Sequence, residues 1–312
     1  MADEIPGEAQ FPLPYHRPTM ICALWAFGMA VVGQFGMSIL RGRGRFVRDA
    51  SWQVLSRLLT AGCIVLALCF GATQPWEVFV AQFIGAAAFF CIVTREEGGR
   101  PLFAIPFSIY KVSLPFVWLD FATIVYFRAD MVLFKFVGIP LADIGHYGVA
   151  YRLIEAFLLI ANPVGLILFR KFRAGSDSTE TTVQQMIVPA LAAGTVGAVI
   201  ALSLWQWGEG FVALAYGRDF AESGRLLAIL GCSLVFALVN GVINQAALAT
   251  GIERWCAISA SSAAVVNILG NLLLLPRYGV EAAAWMTVFT EAVLGVGVAW
   301  GLYTQWEKVR EI

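Results

Sequence analysis

The chain has 312 residues, 59% hydrophobic and only 13% charged, with no formal net charge at neutral pH. A soluble domain carries about 45–50% apolar and about 25% charged residues, so a water-soluble globule is excluded and lipid must be the solvent for most of this surface. Zero net charge gives no basic field for a nucleic acid or another polyanion, so no nucleic-acid partner is expected.

Taken in order, the first twenty residues, "MADEIPGEAQFPLPYHRPTM", are acidic and then Pro-rich. They lack the basic start and small-residue cleavage site of a secretory signal and read as a disordered tail, 1–20. Nine apolar runs follow, each long enough to cross a bilayer: 21–40, 51–71, 76–94, 108–138, 146–169, 184–207, 224–250, 255–275 and 280–303. Only helices and closed barrels satisfy their own backbone in lipid, and the ten-residue alternation of barrel strands is absent. The expected fold is therefore an all-α polytopic membrane protein of about nine transmembrane helices, ending in a short tail, 304–312. Pro115, Pro163 and Pro189 fall near or inside spans and are expected to kink them.

The loops set an orientation. One alternate set holds Arg41, Arg43, Arg45, Arg48, Arg95, Arg100, Lys111, Arg170, Lys171, Arg173, Arg254, Lys308 and Arg310, whereas the other holds only Arg17, Arg218, Arg225 and Arg277. Basic loops stay inside, so the C-terminus is expected in the cytoplasm. The longest external connection is expected at about 208–223. "GMAVVGQFGMSILRGRGRF" (28–46) also resembles "VNGVINQAALATGIERWCA" (239–257), with Gln34 matching Gln245. Internal repeats of this kind are a common plan for transporters.

Cys22, Cys63, Cys69, Cys91, Cys232 and Cys256 lie in or beside apolar runs without ligand spacing and read as small buried hydrophobes. His16 and His146 stand apart, so no zinc site or catalytic triad follows from them.

Four stretches carry a resemblance. "SLPFVWLDFATIVYFRADMVLFKFVG" has Pro near its start and R-x-D near its middle; "IGHYGVAYRLIEAFLLIANPVGLILF" has G-x-Y, then A-x-R-[LI]-x-E, then Pro; "ALAYGRDFAESGRLLAIL" has Y-G-x-x-[FY]; and "NILGNLLLLPRYGVEAAAWMTVFTE" has N-x-x-x-N before P-x-Y-G. In this order they resemble the polysaccharide flippase family, within the multidrug/oligosaccharidyl-lipid/polysaccharide exporter superfamily. The resemblance implies a MATE-like two-lobe transporter. Residues 21–107 would be a partial first lobe equivalent to helices four to six, and 108–303 a six-helix second lobe equivalent to helices seven to twelve. It also implies a chain lacking the family's first three helices. The implied substrate is an undecaprenyl-pyrophosphate-linked glycan, flipped across the bacterial cytoplasmic membrane for O-antigen-like polysaccharide assembly. Glycosyltransferases or a polymerase of the same pathway are the implied partners. No catalysis and no cofactor are implied, only coupling to a sodium ion or a proton.

Charges at membrane depth are costly and mark function, unless paired or snorkelling. Arg128 lies too deep in its run to anchor at either edge, and Lys135, seven residues on, shares its helix face. Asp130 is about 160° round from Arg128. Arg152 and Glu155, three apart, are spaced to pair on one helix; the resemblance instead turns Arg152 toward a central cavity. Arg57 sits about one and a half turns into its span. Arginine suits a diphosphate, because its fork of N–H donors matches phosphate oxygens. Arg128, Arg152, Arg57 and Lys135 are thus the expected basic cavity residues, with Asn240 and Asn244 hydrogen bonding to sugar hydroxyls. The related lipid II flippases imply a sodium site at Asp130, Asn267, Asn271 and Thr287, with one carboxylate where that site has two. Glu291 is deep enough to be a proton-coupling candidate. A cation-coupled multidrug exporter and a membrane glycosyltransferase or polymerase stand as alternatives; a basic cavity argues against the first, and the absence of a carboxylate motif in the external loops against the second.

Overall fold

A computed structural model describes residues 16–42, 44–96, 107–175 and 179–310. It is helical throughout: α1 (His16–Gly42), α2 (Phe46–Cys69), α3 (Pro75–Glu96), α4 (Phe107–Val137), α5 (Leu141–Gly175), α6 (Thr179–Tyr216), a 3-10 turn (Arg218–Phe220), α7 (Ser223–Ala249) and α8 (Glu253–Arg310). The last is two rods meeting at Gly279, whose φ of 59° and ψ of −150° leave the helical region. A positive φ there suits glycine, which has no Cβ to clash. The described residues thus form nine rods, at the positions of the nine expected spans.

The rods outrun the apolar runs. The first begins at His16 rather than residue 21, and the last continues to Arg310 through most of the expected tail. Residues 1–15 of the expected disordered tail lie outside the described residues. The expected external connection at 208–223 is shorter, because α6 stays helical to Tyr216. Backbone hydrogen bonding continues past the apolar core, so hydropathy marks the membrane interior and not the helix ends. Among the described residues six helices are long and apolar enough to cross a bilayer. α4, which carries Lys111, Asp120, Arg128, Asp130 and Lys135, is not among the six.

Apolar side chains cover the outside: Trp25, Leu58, Ile160, Val188, Leu202 and Val296 are among the many exposed ones. This is the reverse of a soluble protein and fits a multi-pass membrane protein. The cysteines correct the reading above. Only Cys256 is buried, whereas Cys69 and Cys91 are exposed and the other three are intermediate. An apolar thiol is not driven inward when the surroundings are lipid.

The chain forms two compact units, Met1–Ile105 and Pro106–Ile312. In the first, α3 packs on both α1 and α2. Its core holds Met37, Leu40, Trp52, Phe89 and Val93, with Trp52 and Phe89 meeting edge to face. In the second, α7 is the hub, packed against α5, α6 and α8, while α4 lies along α8. Lipid supplies no hydrophobic force between helices, so close packing and interhelical hydrogen bonds must hold them. Glycines provide the close packing. A Cβ on Gly197 of α6 would stand 2.7 Å from the Val235 Cα of α7, and one on Gly85 of α3 would stand 2.7 Å from the Thr60 Cα of α2.

Candidate functional site

A cavity of about 590 Å³ opens in the second unit between α4, α5, α7 and α8. Its charged residues are Arg128 of α4, Glu155 of α5 and Glu291 of α8; Asn162, Asn240 and Asn244 supply amides. Leu158, Leu159, Leu294 and Val298 line the remainder with apolar surface.

Arg128 is placed by its neighbours. One guanidinium nitrogen (Nη2) lies 2.6 Å from Glu155 Oε1, and the group sits 5.9 Å from the centre of the Tyr151 ring. The Tyr151 hydroxyl donates to the backbone carbonyl of Phe127 at 2.8 Å, tying α5 to α4 one residue before Arg128. The Arg128 side chain remains 55% exposed, so it is paired yet accessible from the cavity. Tyr147, Tyr151 and Glu155 recur every four residues on α5, one stripe on one face. That stripe serves both charges of the R-x-D motif, because the Tyr147 hydroxyl donates to Asp130.

Glu291 is 2% exposed. Asn240 Nδ2 donates to its Oε2 at 2.7 Å and to its backbone carbonyl at 2.8 Å, and the Tyr126 hydroxyl donates to its Oε1 at 3.1 Å. The carboxyl is thus bound from α7 and α4, as a buried polar group in a membrane must be.

Asp130, Asn267, Asn271, Thr287 and Thr290 are also buried. Asp130 Oδ1 accepts from the Met131 backbone N–H at 2.8 Å. Asn271 Nδ2 donates to Asn267 Oδ1 at 3.0 Å, and Asn267 Nδ2 to Thr290 Oγ1 at 3.2 Å. Thr287 Oγ1 donates to the Ala283 carbonyl at 3.0 Å. Asn271 Oδ1 is buried with no hydrogen-bond partner among the described residues.

The structure brings Arg128, Asn240, Asn244 and Glu291 around one cavity, and it buries Asp130, Asn267, Asn271 and Thr287. Arg152, Lys135 and Arg57 are not among the residues that line this cavity. Arg152 is exposed and outside the cavity, and Glu155 pairs across to Arg128 instead of along its own helix to Arg152. Tyr151 and Glu155 face α4, and Arg152 is about 100° round from Tyr151. Lys135 is exposed in the last turn of α4, about 10 Å along the axis from Arg128, so sharing a face did not place it in the cavity. Arg57 is exposed on α2 of the first unit. The cavity of the second unit is therefore not basic: one guanidinium faces two carboxylates. The sequence reading also missed Tyr126, Tyr151 and Asn162, although the four-residue stripe on α5 signals Tyr151.

No family model matches the chain. In sequence it is 24% identical over 291 residues to the succinoglycan biosynthesis transport protein ExoT of Rhizobium meliloti (strain 1021), covering 87% of this chain and 56% of the relative. In structure it resembles the lipid II flippase MurJ in an inward closed conformation, with a TM-score of 0.67 at 15% identity. That match covers 91% of this chain and 62% of the other. The fold is thus that of MurJ, and both findings agree with the resemblance carried by the four motifs. The chain spans less than two thirds of either protein's length.

Proposed function

We propose that the chain translocates the polar head of a polyprenyl-diphosphate-linked oligosaccharide across the bacterial cytoplasmic membrane by alternating access, in polysaccharide assembly. The observation that carries this reading is Arg128, paired but accessible in a cavity at membrane depth. A diphosphate keeps its charge throughout passage. Its oxygens can take the place of Glu155 on the guanidinium, so Arg128 exchanges one anion for another and is not left unpaired. The amides of Asn162, Asn240 and Asn244 suit sugar hydroxyls, and the lipid chain stays in the bilayer. Nothing covalent changes, so this chemistry requires no nucleophile. The likeness to a succinoglycan transport protein and a lipid II flippase supports the reading.

The test is complementation in a strain lacking its own lipid-linked glycan flippase. Wild type is expected to restore surface polysaccharide. Arg128→Ala is expected to insert normally and lose at least about tenfold of that activity, the scale of one lost charge-assisted contact. Arg152→Ala and Lys135→Ala are expected to stay within about twofold, because neither side chain reaches the cavity. Full activity of Arg128→Ala would sink the reading.

For coupling, a sodium ion would draw on the Asp130 carboxylate, Thr287 and the free oxygen of Asn271, oxygen donors suited to a hard cation. A proton would use Glu291. Replacing sodium by potassium at fixed pH and potential separates them: transport falls in the first case and is unchanged in the second. The C-terminus and the turns at Arg45, Arg173 and Arg254 are placed in the cytoplasm by the positive-inside rule.

A second reading is favoured by one observation, the excess of carboxylates over cations in the cavity. It makes the chain a cation-coupled exporter of cationic compounds. Drug resistance without restored polysaccharide is the outcome that would select it.

A further inference from the structure

A second pocket, of about 480 Å³, lies between α6, α7 and the second rod of α8. It shares no lining residue with the cavity of Arg128. Three helices build it with the same layering. On α6, Glu209 stands four residues after Trp205, nearer the turn into α7; on α7, Arg225 stands four before Ile229; on α8, Glu281 stands four before Trp285, nearer the Gly279 break. Each helix therefore sets its charge about one turn, about 6 Å, closer to the end of the bundle than its apolar residue. The result is a charged tier over an apolar tier.

The two ends of the charged tier are held together. Arg225 Nε lies 3.2 Å from Glu281 Oε1, and Arg225 Nη2 donates to Glu281 Oε2 at 3.3 Å. α6 and α7 cross at Gly208 and Gly224, where a Cβ on Gly224 would strike the backbone of Glu209. That crossing sets the Glu209 backbone against Gly224, the residue before Arg225, and both charges line the pocket. Glu209 has no ion-pair partner among the described residues. Trp205 and Trp285 are 59% and 50% exposed. Tryptophan at such a level is characteristic of the boundary between headgroups and acyl chains.

We propose that this pocket binds a membrane phospholipid whose head carries both a phosphodiester and a primary ammonium. The phosphate would pair with Arg225, the ammonium with Glu209 and Glu281, and the acyl chains would run down over Trp205, Ile229 and Trp285. Charge decides among lipids. One guanidinium against two carboxylates leaves the tier net negative, which opposes an anionic head and suits a zwitterionic one. A quaternary choline head has the right charge but no N–H donors for the carboxylates. The inference needs only that the chain spans a membrane, so it stands or falls apart from the flippase reading.

The test is native mass spectrometry of the full chain, purified in detergent and exchanged into an equimolar mixture of phosphatidylethanolamine, phosphatidylcholine and phosphatidylglycerol. Phosphatidylethanolamine is expected to be retained about tenfold over each of the others, the ratio that about 1.4 kcal/mol of differential binding gives. Glu209→Gln and Arg225→Gln are expected to erase that preference, while Glu180→Gln at the far end of α6 keeps it. If Arg225→Gln does not fold, Glu209→Gln and Glu281→Gln decide the matter. Equal retention of the three lipids, or a preference that survives Glu209→Gln, overturns the proposal. So does displacement of phosphatidylethanolamine by a short-chain polyprenyl diphosphate, which would assign the pocket to an anionic lipid.

Discussion

Glu291 shows how a single ionisable residue is accommodated in this bundle. Its carboxyl is enclosed, and its partners come from two other helices, Asn240 of α7 and Tyr126 of α4. Asn240 makes two of these bonds, so Asn240→Ala is expected to destabilise the protein by about 1–2 kcal/mol, given about 0.6 and at most about 1.7 kcal/mol for an interhelical hydrogen bond in lipid. Tyr126→Phe removes one bond and should cost about half as much. Thermal unfolding in detergent measures both, and equal midpoints for wild type and Asn240→Ala would contradict the arrangement. Much of this residue-level picture was legible in the sequence. Arg128, Asn240 and Glu291 stand out because polar groups at membrane depth are rare and need a reason. The partner of Arg128 was not legible. Spacing favours Arg152 for Glu155, since the two are three apart, but helix rotation turns Arg152 outward and Glu155 toward α4. A rule about one helix cannot see a neighbouring helix.

At the level of elements, α7 is the piece on which the second unit is built. It touches α5, α6 and α8, and its contact with α6 depends on backbone approach at Gly197. Gly197→Val is expected to separate the two helices and lower the thermal midpoint by several degrees, the cost of an overpacked contact being about 1–3 kcal/mol. A midpoint unchanged within error would show that the contact is not tight. The nine rods were legible as nine apolar runs, and the α8 break as the polar interruption at Arg277–Gly279. The helix ends were not legible, because hydropathy follows lipid while hydrogen bonding follows the backbone. Thus α5 extends from an expected 146–169 to Leu141–Gly175, and α6 to Tyr216. The α6–α7 glycine contacts were also hidden, since 30 glycines are scattered through the chain and only a partner backbone tells which are essential.

For the whole molecule, the strongest constraint is the uneven distribution of basic residues between alternate loops. The orientation proposed from it has the α6–α7 turn at Gly217–Glu222 outside and the α7–α8 turn at Thr250–Ile252 inside. In an otherwise cysteine-free variant of intact cells, a cysteine at Glu222 is expected to react with a membrane-impermeant thiol reagent, and one at Arg254 only after permeabilisation. The opposite pattern would invert the orientation. The polar sites are separate: Arg128, Glu155 and Glu291 line the cavity, whereas Arg225, Glu209 and Glu281 line the second pocket, nearer the α6–α7 turn. The fold was legible from four motifs in order. The charge of the cavity was not, because it depends on which of the expected cations face inward.

The central claim is that Arg128 carries an anionic lipid-linked head through the cavity. Its most direct test is a reconstituted assay. The full chain in liposomes is given a fluorescent polyprenyl-diphosphate oligosaccharide, and its arrival in the opposite leaflet is followed by an impermeant quencher or lectin. Wild type is expected to translocate it well above empty liposomes, and Arg128→Ala to fall at least about tenfold with normal insertion and an unchanged unfolding midpoint. Translocation by Arg128→Ala at the wild-type rate would contradict the account.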